Sequence, residues 1–226
     1  MRRATGFTLI ELAVSLAIIA LLLGALMVPL NTQIDQQRIN DTNKQLTLIS
    51  EAIAGFAVTT GRLPCPATPT AANTLAGAGL ENKPGAACGI TEGVVPWATL
   101  GMPELDAWGR RFTYRVTPAF ADDPAGGVQA SFALADTGNI NITSAGGAVT
   151  IAANMAAAVV SHGKNGAGAY LPDGGRLALG TADELENADA DANFVSKVPD
   201  TNFDDLVAWI SPNTLKTRMV AANRLP

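Results

Sequence analysis

Residues 2–26 read RRATGFTLIELAVSLAIIALLLGAL, and this stretch decides how the chain is organised. Between Phe7 and Ile34, Glu11 is the only charged side chain. At about 1.5 Å of rise per residue, a helix over residues 7–28 is about 33 Å long, close to the roughly 30 Å hydrocarbon core of a bilayer. The pattern therefore predicts a transmembrane helix over residues 7–28.

The positive charges on the two sides of this apolar run predict its orientation. Arg2 and Arg3 lie directly before it, whereas the first positive charge after it is Arg38. Because lysine and arginine concentrate on the cytoplasmic side of a membrane, the amino terminus is expected in the cytoplasm. The rest of the chain is then periplasmic, on a single-pass protein of a bacterial inner membrane.

The same stretch resembles the leader of type IV prepilins and of type II secretion pseudopilins, and the matching residues are Gly6, Phe7, Thr8, Leu9, Ile10 and Glu11. The resemblance implies that residues 1–6 are a leader peptide. A prepilin peptidase would cut after Gly6, and Phe7 would become the N-methylated terminus. Other pilin or pseudopilin subunits and an inner-membrane assembly platform are the further partners that it implies.

Glu11 is an ionisable group inside the predicted membrane span. Such a group costs several kcal/mol to insert and usually marks a function. The resemblance implies that Glu11 pairs with the free amino terminus of a neighbouring subunit, a group that exists only after cleavage. The alternative is a plain signal anchor with an incidental glutamate near the membrane surface.

Residues 29–60 are predicted to continue the long helix outside the membrane. Pro29 lacks the amide N–H of a helical residue, so a kink or local break is expected there. Beyond it, apolar residues recur at the helical spacing of Ile39, Leu46, Ile49, Ile53 and Phe56. This stripe predicts packing against the chain's own head and, nearer the membrane, against other subunits. Gly61 is expected to end the helix.

Residues 61–226 are predicted to form a globular head. A connection rich in proline and glycine is followed by strand-like runs at residues 110–117, 128–135, 148–153 and 156–163, with turn residues between them. This alternation predicts an antiparallel sheet packed on the helix. The predicted fold class is α+β and pilin-like, with a long N-terminal helix whose first half is transmembrane and whose second half is amphipathic.

Cys65 and Cys88 are the two cysteines of the chain. They lack the paired spacing and the nearby histidines of a zinc site. In a periplasmic head they are expected to form a disulfide, worth roughly 3 kcal/mol by the chain-entropy estimate. In the cytosol they would be free thiols, so their state depends on the compartment.

A second resemblance, to major pseudopilins, rests on DAWGRRFTYRV at residues 106–116, SHGKNGAG at 161–168 and DDLVAWI at 204–210. It implies a calcium site at Ser161, Asn165, Asp204 and Asp205, and the alternative is a solvated acidic loop. Asn165 stands where an acidic residue is expected, and about 35 residues between Gly168 and Asp204 depart from that family. Within them, the acidic stretch 183–193 lacks the EF-hand pattern and reads as a solvated surface.

Composition and motifs exclude several classes of function. The formal net charge of −5 argues against general nucleic-acid binding. His162 is the only histidine, which removes most ways of building a catalytic triad. The sequence therefore favours a structural filament subunit, a pseudopilin or minor pilin, that is not an enzyme and needs no cofactor besides the calcium. The alternatives are a membrane-anchored periplasmic enzyme and a ligand-binding minor pilin for adhesion or DNA uptake.

Overall fold

The computed structural model describes residue 6, residues 8–124 and residues 129–225, without the side chains of residues 23–30. The chain divides into two compact units, Met1–Asn40 and Asp41–Pro226. Residues 1–5, Phe7 and the side chains of 23–30, which belong to the predicted leader and membrane span, lie outside this description. The predicted segment boundaries at residues 6, 28 and 60 stay predictions.

The helices are dominated by one long element at the amino-terminal end. Its bounds and those of the shorter helices are α1 (Leu9–Thr60), α2 (Trp97–Leu100), α3 (Pro118–Ala121), α4 (Asp183–Glu186) and α5 (Pro212–Ala221). Helix α1 continues through Pro29, so of the predicted kink or local break the break is wrong, and the kink stays a prediction. A proline removes one helical hydrogen bond, and here the neighbouring turns keep the helix. Where side chains are described, no helix has an apolar run long enough to cross a membrane.

The strands form two sheets in the second unit. Their bounds are β1 (Glu92–Val94), β2 (Thr113–Val116), β3 (Ile140–Thr143), β4 (Thr150–Met155), β5 (Ala157–Ser161), β6 (Asn193–Val195) and β7 (Leu206–Ile210). The main sheet is antiparallel with the order β1-β2-β5-β7. The smaller sheet has the order β4-β3-β6 and is mixed, because β6 runs parallel to β3.

The part of α1 after Asn40 packs on the main sheet and buries the middle of the predicted stripe. Leu46, Ile49 and Ile53 are at most 3% exposed and lie in one apolar cluster with Tyr114 of β2 and Leu215 of α5. These three residues therefore lie against the chain's own sheet, whereas Ile39 and Phe56 are only partly buried. The predicted fold class, α+β with a long N-terminal helix and an antiparallel sheet, is confirmed.

Strand β5 lies at the centre of the head because both of its faces are covered. Ala157 and Val159 belong to the cluster on the α1 side, whereas Ala158 and Val160 belong to a second cluster with β3 and β6. Alternate residues of a strand point to opposite faces, so a continuous apolar run is needed where both faces are buried. The strand ends at Ser161, beside the loop that carries His162 and Asn165.

The strand predicted at residues 128–135 is wrong over its described part, residues 129–135, which form no strand. Its polar backbone groups are bound by other partners. The amide of Ser131 donates to the Gly61 carbonyl, and the Lys216 ammonium donates to the Leu134 carbonyl. The Ser131 amide and the Leu134 carbonyl are therefore not available to pair with a neighbouring strand. Strands β1, β3 and β6, at three to four residues each, were not predicted.

Gly61 ends α1 as predicted. Its φ of 81° lies in the left-handed region, and its amide donates to the Ala57 carbonyl. A Cβ at this position would approach the Gln129 carbonyl oxygen to 2.1 Å. Glycine is therefore required here both by the backbone conformation and by the close approach of the 129–131 segment.

Candidate functional site

The first turn of α1 contains a reciprocal pair of side chain–backbone contacts between Thr8 and Glu11. The amide of Glu11 donates to the Thr8 hydroxyl at 3.3 Å, and the amide of Thr8 donates to the Glu11 carboxylate at 3.5 Å. The Thr8 hydroxyl also donates to that carboxylate at 3.4 Å. This is a capping box, which satisfies amides at a helix start that have no partner within the helix. Sequence reasoning gave Glu11 a role in assembly but missed this one.

The described side chains from Leu9 to Leu22 are exposed, and most of them are apolar. Leu9 is 87% exposed, and Leu21 is 73% exposed. An apolar surface of this extent is rare on a protein in water and marks a surface that contacts lipid or other protein chains. Gly6, at the predicted cleavage site, is exposed as well.

The connection after α1 is held by a disulfide and by ion pairs. Cys65 and Cys88 are bonded to each other, so the structure contains the expected disulfide. Beside it, the guanidinium of Arg62 donates twice to the Glu81 carboxylate, at 2.8 Å each, and that carboxylate also accepts from the Cys65 amide. The same loop is therefore fixed by a covalent bond and by a largely buried ion pair.

Three carboxylates meet in the head, beside the end of β5. Glu184 of α4, and Asp204 and Asp205 before β7, each offer an oxygen atom, and these atoms lie within 4.8 Å of one another. Glu184 is 5% exposed and Asp205 is 2% exposed. Among the described residues, one oxygen of Asp204 and one of Asp205 are buried without a hydrogen-bond partner. We call these three residues the acidic cluster.

Asparagine side chains and backbone amides hold the acidic cluster in place. Asn165 donates its backbone amide to Asp204 at 2.9 Å and its side-chain amide to Glu184 at 2.6 Å. Asn187 donates to Asp205 at 2.8 Å and also bonds the backbone of Val195 in β6. Even with these contacts, one oxygen of each aspartate has no hydrogen-bond partner in the part of the chain that the structure describes.

Gly163 allows the two loops of the cluster to approach each other. Its φ of 55° is left-handed, and a Cβ there would lie 2.2 Å from the Asp204 carbonyl oxygen. Any larger residue would push the 161–168 loop away from Asp204. Gly163 is therefore needed for the loop contact that brings Asn165 to the aspartates.

Burial shifts the pKa values of the two aspartates. The pKa of Asp205 is raised from 3.8 to about 8, mainly because burial disfavours its charged form, while the Asn187 hydrogen bond acts in the opposite direction. Burial also raises the pKa of Asp204, against the lowering effect of the Asn165 amide. The charge of Glu184 raises both values further. The cluster is thus destabilised when its members ionise together without a cation.

His162 lies next to the cluster but is not arranged for catalysis. Its Nε2 is 2.8 Å from the Thr113 hydroxyl, and its Nδ1 lies 3.8 Å from Asp205. This order imitates a Thr-His-Asp triad, yet all three residues are at most 3% exposed, so no substrate reaches the hydroxyl. Burial lowers the pKa of His162 to about 3, with Arg176 and Arg110 adding to the effect, so the imidazole is neutral and a poor base.

The atoms of the acidic cluster fit a hard divalent cation. Calcium binds carboxylate and amide oxygens, tolerates irregular geometry and completes its coordination with water. Two buried carboxylate oxygens without partners are the groups that such an ion would satisfy. Burying several carboxylates together is unfavourable unless they are protonated or neutralised by a cation.

The structure brings Asn165, Asp204 and Asp205 together, as the second resemblance implied. The Ser161 hydroxyl, by contrast, donates to Asp106 at 2.7 Å and supports the 106–110 turn. The sequence predicts a solvated surface for the acidic stretch 183–193. This prediction is wrong for Glu184, which is 5% exposed, and for Asn187, which is 1% exposed. Sequence reasoning missed both because only the fold brings them beside residues about twenty positions later.

Comparison with protein families gives a match over residues 1–27, to the model described as a prokaryotic N-terminal methylation motif. Comparison with curated proteins gives no match, and neither does comparison with solved structures. The matched residues include Gly6, the exposed apolar run as far as Leu22, and the Thr8–Glu11 capping box. Residues 1–27 therefore carry the prepilin signal of type IV pilins and pseudopilins.

Proposed function

We propose that this chain is a structural subunit of a type IV pilus or of a type II secretion pseudopilus. The observation that carries the proposal is the N-terminal methylation motif at residues 1–27. On this view a prepilin peptidase cuts after Gly6 and methylates Phe7. The new terminus then enters a filament with other pilin or pseudopilin subunits at an inner-membrane platform.

The exposed apolar surface of α1 suits the subunit both before and after its assembly into a filament. Before assembly it is anchored in the inner membrane, with the amino terminus in the cytoplasm and the head in the periplasm. After assembly the same surface packs against neighbouring helices. The disulfide suits a periplasmic head, since such bonds persist in oxidising compartments.

Glu11 provides the test of assembly. Its carboxylate is the acceptor for the amino terminus of a neighbouring subunit, and the Glu11→Gln variant keeps the size of the side chain but removes its charge. In the bacterium that makes this protein, we expect wild-type chains to be cross-linked into large assemblies with other pilin-type subunits. The Glu11→Gln chain is expected to be processed yet to stay in the membrane as single subunits.

The matched control is Asp41→Asn, which removes one exposed carboxylate from the same helix. This variant is expected to assemble as the wild type does. Equal assembly of the Glu11→Gln chain, or cross-linking of the wild type only to proteins without a prepilin signal, would refute a filament role. Cross-linking only to proteins without a prepilin signal is the result expected of a membrane-anchored enzyme.

We propose in addition that the acidic cluster of the head binds calcium, through Asp204, Asp205 and the neighbouring Asn165 loop. The buried aspartate oxygens without partners support this proposal. Calcium that binds the folded head should raise its unfolding temperature, because a ligand of the folded state stabilises it. Thermal unfolding in calcium and in a chelator tests this, and identical unfolding temperatures would refute it.

A further inference from the structure

The most informative member of the acidic cluster is Glu184, because it comes from a part of the chain that the resemblance to major pseudopilins does not cover. It lies in α4, within the stretch between Gly168 and Asp204. A glutamate on so short a surface helix would ordinarily point into water. Here it is 5% exposed and shares its site with two other carboxylates, an arrangement that needs a compensating partner.

The neighbouring buried groups indicate a ligand at this point rather than a self-sufficient network. Asp205 is 2% exposed, and one of its oxygens has no hydrogen-bond partner in the described chain. The fully buried His162 faces that oxygen at 3.8 Å, and its Nδ1 also has no partner among the described residues. Unsatisfied groups buried this deeply are rare in folded proteins and are usually explained by water or an ion.

Asn165 explains why a further carboxylate is needed. It stands where the resemblance leads one to expect an acidic ligand, and as an amide it brings no negative charge. Its side-chain amide donates to Glu184 at 2.6 Å and thereby orients that carboxylate toward the aspartates. With Glu184, Asp204 and Asp205 the cluster has three carboxylates, although Asn165 is neutral.

We propose that Glu184 supplies the third carboxylate ligand of the calcium site, in place of the acidic residue absent at Asn165. This inference rests on the proposed calcium site and extends it to the inserted segment. The ion joins α4 to the loop before β7. Because Asn187 bonds both Asp205 and Val195, fixing the cluster also fixes β6 against β3.

The test is calcium titration of the full chain in detergent by calorimetry, with Glu184→Gln as the variant. Glutamine keeps the shape and removes the charge. The matched control is Glu186→Gln, which changes another glutamate of the same helix. We expect the wild type and Glu186→Gln to bind with affinities within about twofold, and Glu184→Gln to bind at least tenfold more weakly, as for loss of a charged ligand.

Proteolysis gives a second readout on the inserted segment. Calcium should protect residues 168–203 of the wild type and of Glu186→Gln from cleavage, and should protect Glu184→Gln much less. Should Glu184→Gln fail to fold, Glu184→Asp decides the matter, since it keeps the charge but shortens the side chain by one methylene and should weaken calcium binding severalfold. Unchanged affinity in that variant would overturn the inference.

The outcomes separate the inference from the proposal on which it rests. A wild type that binds no calcium would overturn both. Tight binding by the wild type together with equally tight binding by Glu184→Gln would leave the calcium site in place and overturn the role of Glu184. Tight binding by the wild type with at least a tenfold loss in Glu184→Gln alone would support it.

Discussion

Thr8 and Glu11 bond each other reciprocally across the first turn of α1, each side chain accepting from the backbone amide of the other. If α1 lies in a bilayer, as proposed, the exposed Glu11 carboxylate needs a hydrogen-bond partner within its own chain. The capping box supplies one within the chain. These contacts hold the Glu11 carboxylate in a defined position within the single chain.

The Thr8→Val substitution tests the capping box. Valine keeps the shape of threonine but removes the hydroxyl, and loss of such a cap costs about 1 kcal/mol. We expect the Glu11 amide to exchange its hydrogen roughly fivefold faster, measured by hydrogen exchange of the full chain in micelles. The matched control is Ser15→Ala, which removes a hydroxyl that donates to the Glu11 carbonyl and not to its amide, so exchange of the Glu11 amide should not change. Equal exchange rates in Thr8→Val and the wild type would contradict the capping role.

The disulfide should stabilise the head without being needed for its fold. Replacing Cys65 and Cys88 together by alanine frees a loop with a sequence separation of 23, for which the chain-entropy estimate is roughly 3 kcal/mol. The Arg62–Glu81 pair still holds the loop, so the variant should keep a native circular dichroism spectrum. Urea unfolding measures the loss, and an unchanged free energy of unfolding would show that the bond contributes nothing.

Arg111 should be among the most sensitive positions of the head. Its guanidinium is fully buried, pairs with Glu104 and donates to the carbonyls of Pro69, Ala71 and Pro172. Removing one partner of a buried pair costs about 3–5 kcal/mol, so we expect Arg111→Met to lower the free energy of unfolding by that amount.

Arg218→Met is the control for Arg111→Met, because Arg218 also pairs with a glutamate, Glu51, but in a more exposed position. Surface pairs contribute at most about 1 kcal/mol. Urea unfolding of both variants gives the comparison. Similar losses in the two variants would show that the buried guanidinium is not a special anchor of the loops.

The contribution of Asp205 to the stability of the head should fall as the pH rises, in the absence of calcium. The pKa of Asp205 is raised from 3.8 to about 8 in the folded state, so its protonated form stabilises the fold at low pH. That contribution is lost between about pH 4 and pH 8, by up to about 1.4 kcal/mol per pH unit. Urea unfolding in chelator at several pH values should show this slope in the wild type and not in Asp205→Asn. A wild type with the same pH dependence as the variant would contradict the raised pKa.

The long helix and the N-terminal signal were predictable because their information is local. Each of these features is a pattern of residues that are close together in the sequence. They are the apolar run with its one glutamate, the glycine before it and the apolar stripe at helical spacing. The same holds for Gly61, whose left-handed conformation ends α1 where the apolar stripe stops. At Pro29 the loss of one hydrogen bond was too small to break α1.

The head was less predictable because its decisive contacts join distant residues. The 129–135 segment has the composition of a strand, but Gly61 and Lys216 bind its backbone groups first. Glu184 looked like a surface residue within an acidic run, and only the folded chain places it beside Asp204 and Asp205. Strands of three or four residues, such as β1 and β6, carry too few side chains for their alternation to be recognised.

The central claim, that this chain is a prepilin-type subunit, is tested most directly by the intact mass of the protein from cells that also express a prepilin peptidase. Gly6→Ala is the informative variant, since a Cβ at Gly6 meets no described atom within 4 Å. Gly55→Ala, equally free of contacts, is the control. We predict a wild type and a control that have lost residues 1–6 and gained one methyl group, and a Gly6→Ala chain that is cleaved little or not at all. A wild-type chain that stays uncleaved, or is cut after the apolar run, would contradict the account.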